Sequence, residues 1–365
     1  MFRVYSQLKS FKIQSAFLNL VRLGIGLRAD TLPQNIDWQE VKDLAERHGL
    51  YAVVLDGIEN LPSNIKPPQE ILLEWIGGVL QDYEYRYEQY TKAISELAGL
   101  YNSHGYKMMV LKGYACSLDW PKPSHRPCGD IDIWQFGKQK EADALIARDL
   151  GIEVDNSHHH HTVFNWHDFA VENHYDFINV YHHKSHTKLE KIFKELASDD
   201  THFVELHGEK VYLPSPNLHA LFLLKHTMLH FVSGEISIRQ LLDWAFFVKR
   251  HTKEIDWDWL EKILEEHGMM PLYQLFNAIC VEDLGFSSQL FPSVQFNPSL
   301  KDRVLAEIIT PDKVSYNELS AIPRLINRFQ RWKGSAWKHE LCYKESMWSA
   351  FWYGIWGHLL KPNSI

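Results

Sequence analysis

The spacing of apolar residues changes period twice along this chain, and that limits the fold more than any other feature. Before residue 105 and after Pro214 apolar residues recur at helical spacing. Between them short runs alternate polar and apolar, as strands with one buried face do. The pattern reads as an α+β protein: a small mixed-sheet core over 105–214, flanked by an N-terminal helical region (1–104) and a C-terminal helical region (215–365). A chain of 365 residues has room for such units and can bury a large core without disulfide staples.

Individual elements follow from local signals. Ala16–Leu23 has helical spacing. Asp37 is placed to cap a helix over Trp38–His48, with Glu40 as capping-box partner. Pro68 opens a long periodic segment that ends near Gly105. In the centre, Lys107–Leu111 is a strand and Gly113 begins a short helix. A loop containing Pro121, Pro123 and Pro127 leads to a strand over Asp130–Phe136, and Lys138–Leu150 is a helix. Thr162–Trp166 and Phe169–Ile178 read as paired strands, and His202–Leu206 with Lys210–Leu213 as a hairpin. The pattern assigns no element to 179–201. Helices follow over Asn217–Phe231, Ser237–Arg250, 257–267, 270–283, 299–309, 316–333 and 345–360.

The formal charge of −8 argues against a long nucleic acid as the main partner, because such binding relies on cationic neutralisation of phosphate. Four cysteines without C-x-x-C spacing, and no cleavable leader pattern, predict a reduced, cytoplasmic protein. The most apolar stretch, Met347–Leu360, falls short of the roughly 18–20 residues needed to span a bilayer, so it reads as a packed terminal helix.

The chemistry centres on Asp130-Ile131-Asp132-Ile133. In a strand, residues i and i+2 share a face, so the two carboxylates repel unless a cation lies between them. Mg²⁺ is the natural neutraliser, since it takes oxygen ligands from one or two carboxylates and from substrate phosphates. Ile131 and Ile133 would point into the core. Gly129 allows a ligand or backbone to approach closely. The upstream turn Leu111-Lys112-Gly113 opens a helix whose free N–H groups suit phosphate, with Lys112 and Arg126 adding charge. Glu172, on the strand expected to neighbour the pair, is the third carboxylate, with Asp176 as its rival. His219, His226 and His230 form one helical stripe, expected to face the central unit, with His230 a candidate to reach the cleft. Of the run His158–His161, which reads mainly as a solvated loop, His160 or His161 is a candidate for the cleft mouth. Arg239 and Asp243, at i and i+4, read as an ion pair with each other.

Taken together, Val110–Gly113 (V-L-K-G), Arg126–Ile133 (R-P-C-G-D-I-D-I) and Val171–His174 (V-E-N-H) resemble the polymerase-beta-like nucleotidyltransferase superfamily. The nearest likeness is to a family of uncharacterised bacterial nucleotidyltransferases. Leu221–Asp243 resembles the helical part of that family, as does Ile36-Asp37-Trp38 followed by Ala45–His48. The resemblance implies Asp130, Asp132 and Glu172 as catalytic metal ligands for Mg²⁺ or Mn²⁺. It implies Gly113 as the turn that contacts the nucleotide phosphates, while the reading of the residues adds Lys112, Arg126 and Gly129 as nucleotide-binding and His161, His174 and His230 as cleft-lining candidates. The superfamily usually carries Gly-Ser where this chain has Lys112-Gly113-Tyr114. The expected activity moves NMP from an NTP to an unidentified acceptor hydroxyl. Two other readings are open: a metal-dependent glycosyltransferase using a sugar nucleotide, and a non-catalytic nucleotide-sensing or partner-binding module of the toxin–antitoxin kind.

Overall fold

Six strands build one sheet in the computed structural model, which describes residues 2–360 apart from 34, 159, 182, 199–200, 293–294 and 311–331. They are β1 (Met109–Val110), β2 (Ile131–Trp134), β3 (His161–Trp166), β4 (Phe169–His174), β5 (Phe203–Leu206) and β6 (Glu209–Tyr212). Their order across the sheet is β3-β4-β2-β1-β6-β5. The hairpins β3–β4 and β5–β6 are antiparallel, as is β1–β2. The joins β2–β4 and β1–β6 are parallel, so the sheet is mixed, as the sequence pattern predicts.

The helices in chain order are α1 (Phe2–Gly24), α2 (Trp38–Arg47), α3 (Tyr51–Glu59), α4 (Gln69–Gly78), α5 (Arg86–Ser103), α6 (Tyr114–Ser117), α7 (Gln139–Asp149) and α8 (Lys184–Ser198). Beyond the sheet lie α9 (Pro216–Ser233), α10 (Ile238–His251), α11 (Trp257–His267), α12 (Met270–Glu282) and α13 (Pro298–Ile309), then Ala336–Cys342 and Met347–Leu360. Asp37 caps α2 by accepting from the Glu40 N–H at 3.2 Å. α4 passes through a π-helical stretch, Val79–Tyr85, into α5, so one rod runs from Gln69 to Ser103. The helix expected over 316–333 falls almost wholly outside the described residues. Met347–Leu360 is helical but leaves Trp348, Trp352 and Trp356 exposed rather than packed. No helix among the described residues is long and apolar enough to cross a membrane.

Alternation in the strands sorts the core into two clusters. Met108, Val110, Ile131, Ile133 and Val171 pack with Ile94 and Leu97 of α5 and with Leu145 of α7 on one face. Met109, Leu111 and Trp134 join the larger cluster that runs through α1–α4 and the C-terminal helices. The first face is further tied by Asp143 of α7, which accepts hydrogen bonds from Thr162, Asn173 and Tyr175 at 2.8–3.0 Å.

β4 stops at His174 and does not run on to Ile178. The N–H groups of Tyr175 and Asp176 both donate to the His160 carbonyl, at 2.7 and 3.1 Å, which turns the chain off the sheet. The next two N–H groups, of Phe177 and Ile178, donate to the Glu190 carboxylate on α8, each at 3.1 Å. α8 itself occupies the stretch to which the sequence pattern assigns nothing.

Candidate active site

Strand alternation sets the site's floor. Ile131 and Ile133 are fully buried against the α5–α7 face, so Asp132 between them must project to the other face. β4 runs parallel to β2 with Asp132 opposite Glu172 and Trp134 opposite His174, so Glu172 and His174 emerge beside Asp132. β3 adds His161 directly across from His174. Asp130 lies just before β2 and is exposed at the cleft mouth.

Asp132 is nearly sealed from solvent, and three cation-capable groups surround the carboxylates. Its Oδ1 receives Lys112 Nζ at 2.7 Å and His174 Nε2 at 2.9 Å. Its Oδ2 is buried with no hydrogen-bond partner among the described residues. Burial alone would raise the Asp132 pKa, but the Lys112 ammonium and the His174 ring outweigh it and hold the carboxyl well below its usual range. Burial likewise opposes charge on His174, yet hydrogen bonds to Asp132 and Glu172 lift its pKa to about 9. Glu172 Oε2 is 3.5 Å from His174 Nε2 and 4.0 Å from His161 Nδ1. Burial pushes the Glu172 carboxyl up, and the His174 hydrogen bond brings it below its ordinary value. Asp130 is shifted upward, chiefly by the neighbouring Asp132 charge.

These residues fit a divalent cation. An oxygen left unpaired in a buried carboxylate incurs an unmet desolvation penalty unless a ligand completes it. Asp132, Glu172 and His174 present donor atoms all within 4.8 Å of one another. Ligand bonds of about 2.0–2.3 Å would place donors on one ion about 3–4 Å apart, and His174 Nε2 stands 2.9 Å from Asp132 Oδ1 and 3.5 Å from Glu172 Oε2.

Gly113 is required twice over. Its φ of 53° lies in the left-handed region, and a Cβ there would stand 2.2 Å from the Tyr90 hydroxyl. That hydroxyl donates to the Asp130 carbonyl at 2.8 Å, tying the turn to the start of β2. α6 is a single turn, so its dipole offers phosphate less than the sequence reading implies. Gly129 faces open space: a Cβ there would meet nothing within 4 Å.

Two expected phosphate cations are already engaged. Lys112 bridges Asp132 and His226, with Nζ 3.0 Å from His226 Nε2. Arg126 is buried and clasps Asp243 of α10, Nε to Oδ1 at 2.8 Å and Nη2 to Oδ2 at 3.0 Å. The Trp120 indole N–H donates to the same Oδ1 at 2.8 Å. The expected Arg239–Asp243 pair is therefore replaced by Arg126–Asp243, which joins the Pro-rich loop to α10. Arg239 lines the cleft and makes no hydrogen bond or ion pair among the described residues. Burial and the nearby Arg126 charge both disfavour its charged form.

The cleft above this floor measures about 660 Å³. Lys112, Gly113, Arg126, Gly129, Asp130, Asp132, Glu172, His174 and His230 all border it, so the structure gathers these sequence candidates in one place. His161 sits behind the lining, buried at the start of β3, and not in the solvated loop expected for its run. His226 and His230 face the cleft from α9, 3.2 Å apart, and burial beside Lys112 keeps both below the ordinary imidazole pKa. Asp176 does not join Glu172: past the end of β4 it pairs with Lys194 of α8. Sequence reasoning missed Arg239 as a free cleft cation, because its isolation depends on Arg126 reaching Asp243 first.

A family model described as "Uncharacterised nucleotidyltransferase" matches residues 34–285, more than half of the chain. Those residues include every carboxylate of the cleft floor and the Arg126–Asp243 clasp. No curated protein matches the chain. Among solved structures, the crystal structure of an antigenic nucleotidyltransferase-like protein from Paracoccidioides brasiliensis aligns at 14% identity with a TM-score of 0.35. The alignment covers 55% of this chain and 95% of that one.

Proposed function

Because the chain belongs to the uncharacterised nucleotidyltransferase family, we propose that it moves a nucleoside monophosphate from an NTP to an acceptor hydroxyl. One observation carries this reading: Asp132 and Glu172 stand in register on adjacent parallel strands, with a buried, unpaired Asp132 oxygen at the floor of a nucleotide-sized cleft. Asp130, Asp132 and Glu172 would hold Mg²⁺ or Mn²⁺. A bound divalent ion would draw charge from the phosphate oxygens and steady the leaving pyrophosphate.

The chain's own groups supply the rest. Glu172 accepts the acceptor's hydroxyl proton on the carboxylate oxygen it does not give to the ion, as the acceptor's oxygen bonds to the α-phosphorus. The bond from that phosphorus to the bridging oxygen breaks, and pyrophosphate leaves with the electron pair. Arg239, lacking a counter-ion, takes the polyphosphate tail. Gly129 leaves room for the phosphates beside Asp130. Lys112 keeps Asp132 ionised and fixed in position, a preorganisation that favours the charge distribution of the transition state. We assign the metal and the reacting phosphate to 105–214 and the acceptor side to helices of 215–365, where α9 and α10 form the facing wall and Arg239 reaches across to the polyphosphate tail.

The test is calorimetric binding of each NTP with Mg²⁺, Mn²⁺ or EDTA, to wild type and to the Asp130→Asn/Asp132→Asn double variant. Metal-dependent NTP binding that the double variant loses is the expected result. Binding of UDP- or GDP-sugars but no NTP would instead indicate a glycosyltransferase. Silence with both classes would leave a partner-binding module.

A further inference from the structure

We propose that imidazoles close the inner side of this cation site, so that it selects a first-row transition ion, Mn²⁺, Co²⁺ or Zn²⁺, over Mg²⁺. The proposal rests on the transferase reading only for the part the carboxylates play. The geometry that carries it is a second donor group fused to the first. His160, His161 and His174 present ring nitrogens all within 4.8 Å of one another, and His174 also belongs to the Asp132–Glu172 set. His174 thus joins two donor groups, one of imidazoles reaching β3 and one of carboxylates on β2 and β4.

His174 is oriented as a metal-ligating histidine is. Its Nδ1 lies 3.3 Å from the Asp176 carbonyl, which fixes the proton on that nitrogen and turns Nε2 toward Asp132 and Glu172. Ligating histidines characteristically donate their other ring N–H to a carbonyl in this way. His161 is buried, and its Nδ1 has no hydrogen-bond partner among the described residues. It lies 4.0 Å from Glu172 Oε2. Asp132 Oδ2 and His161 Nδ1 are thus two buried, unpartnered atoms, carried by the strands on either side of β4 and its His174. Lys112 does not compete for it, because its ammonium contacts Asp132 Oδ1 and leaves Oδ2.

Ligand type decides between ions. Mg²⁺ demands near-octahedral oxygen ligation and dehydrates reluctantly. Imidazole nitrogen adds little for Mg²⁺ and much for later first-row ions. A mixed nitrogen–oxygen set thus shifts the preference away from Mg²⁺ without any change in the carboxylates.

The test uses the EDTA-stripped full-length chain and metal alone. Substoichiometric Mn²⁺ is added and three-pulse electron spin-echo spectra are recorded, with Mn²⁺ and Mg²⁺ affinities taken by calorimetry. The expected results are ¹⁴N modulation from coordinated imidazole and Mn²⁺ binding tighter than Mg²⁺ by about tenfold or more. His174→Gln should abolish most of the modulation and weaken Mn²⁺ by on the order of ten- to a hundredfold, with Mg²⁺ little changed. If that variant fails to fold by circular dichroism, His161→Gln carries the same expectation at the rim of the donor set. Mn²⁺ bound without ¹⁴N modulation, Mg²⁺ bound as tightly as Mn²⁺, or no metal bound at all would each overturn the proposal. NTP binding with Mg²⁺ in a protein that shows no ¹⁴N modulation would leave the transferase reading standing. Clear ¹⁴N modulation in a protein that binds no NTP would sustain the metal site and remove the transferase reading.

Discussion

Replacing Arg126 by Met should destabilise the fold far more than it weakens nucleotide binding. The Arg126 and Asp243 side chains are each 5% exposed, and the pair is bidentate at 2.8 and 3.0 Å. Removing the guanidinium leaves a buried carboxylate with the Trp120 N–H as its remaining donor. Breaking a buried pair in this way costs about 3–5 kcal/mol. Over the unfolding entropy of a chain this long, that is a fall in Tm of about 4–7 °C. Asp243→Leu should cost about as much, because it strands Arg126 beside Arg239. The double variant Arg126→Met/Asp243→Leu removes both charges together and should cost about 1–2 kcal/mol, chiefly from the Trp120 N–H left without an acceptor. The coupling energy in the cycle is then about 4 kcal/mol or more. Urea denaturation of the four proteins measures it, and calorimetry with NTP on the folded variants measures the other half. An Arg126→Met protein that melts like wild type but loses NTP affinity would refute the argument and restore Arg126 as a phosphate ligand.

Arg239→Gln should behave in the opposite way: NTP binding weakened on the order of ten- to a hundredfold, as one charge-assisted hydrogen bond of about 1.5–3 kcal/mol is lost, with stability unchanged or slightly higher. Unchanged affinity in calorimetry would remove Arg239 from the phosphate site. A pH effect should arise at His125, which lies 2.7 Å from Asp56 and 3.1 Å from Glu84. Burial lowers its pKa, but those hydrogen bonds raise it above the ordinary value, so its stabilisation is complete below about pH 6.5 and is lost as pH rises through the folded pKa. The Tm gap between wild type and His125→Asn should therefore be wider at pH 6 than at pH 8.5, and a constant gap would mean that His125 stays neutral.

What the sequence made legible was what short-range pattern encodes. Asp130-Ile131-Asp132-Ile133 alternates because one face of β2 is buried, and that period survives in the letters. The turn at Gly113 was legible for the same reason, although the Tyr90 hydroxyl that excludes any side chain there was not. α8 leaves a trace in the letters, where Leu189, Ile192, Phe193 and Leu196 recur at helical spacing, but the alternation that runs on past His174 obscures it. The Arg126–Asp243 clasp left none, since its partners lie 117 positions apart and Arg239 offered Asp243 a nearer partner on paper. The histidines divided likewise. The stripe on α9 could be placed from its spacing, whereas the buried position of His161 depends on its register opposite His174.

The parallel pairing of β2 with β4 makes the gap between Asp132 and Glu172 a property of the backbone ladder, set by the strand spacing of about 4.8 Å and not by how either side chain packs. The opposite wall has no such tie: Arg239 rides on α10, which meets the central unit through side chains, among them the Arg126–Asp243 clasp. The cleft thus has one woven jaw and one bolted jaw. Substitutions among the helices can change its width, and with it the size of molecule admitted, while the carboxylate spacing stays as the sheet sets it.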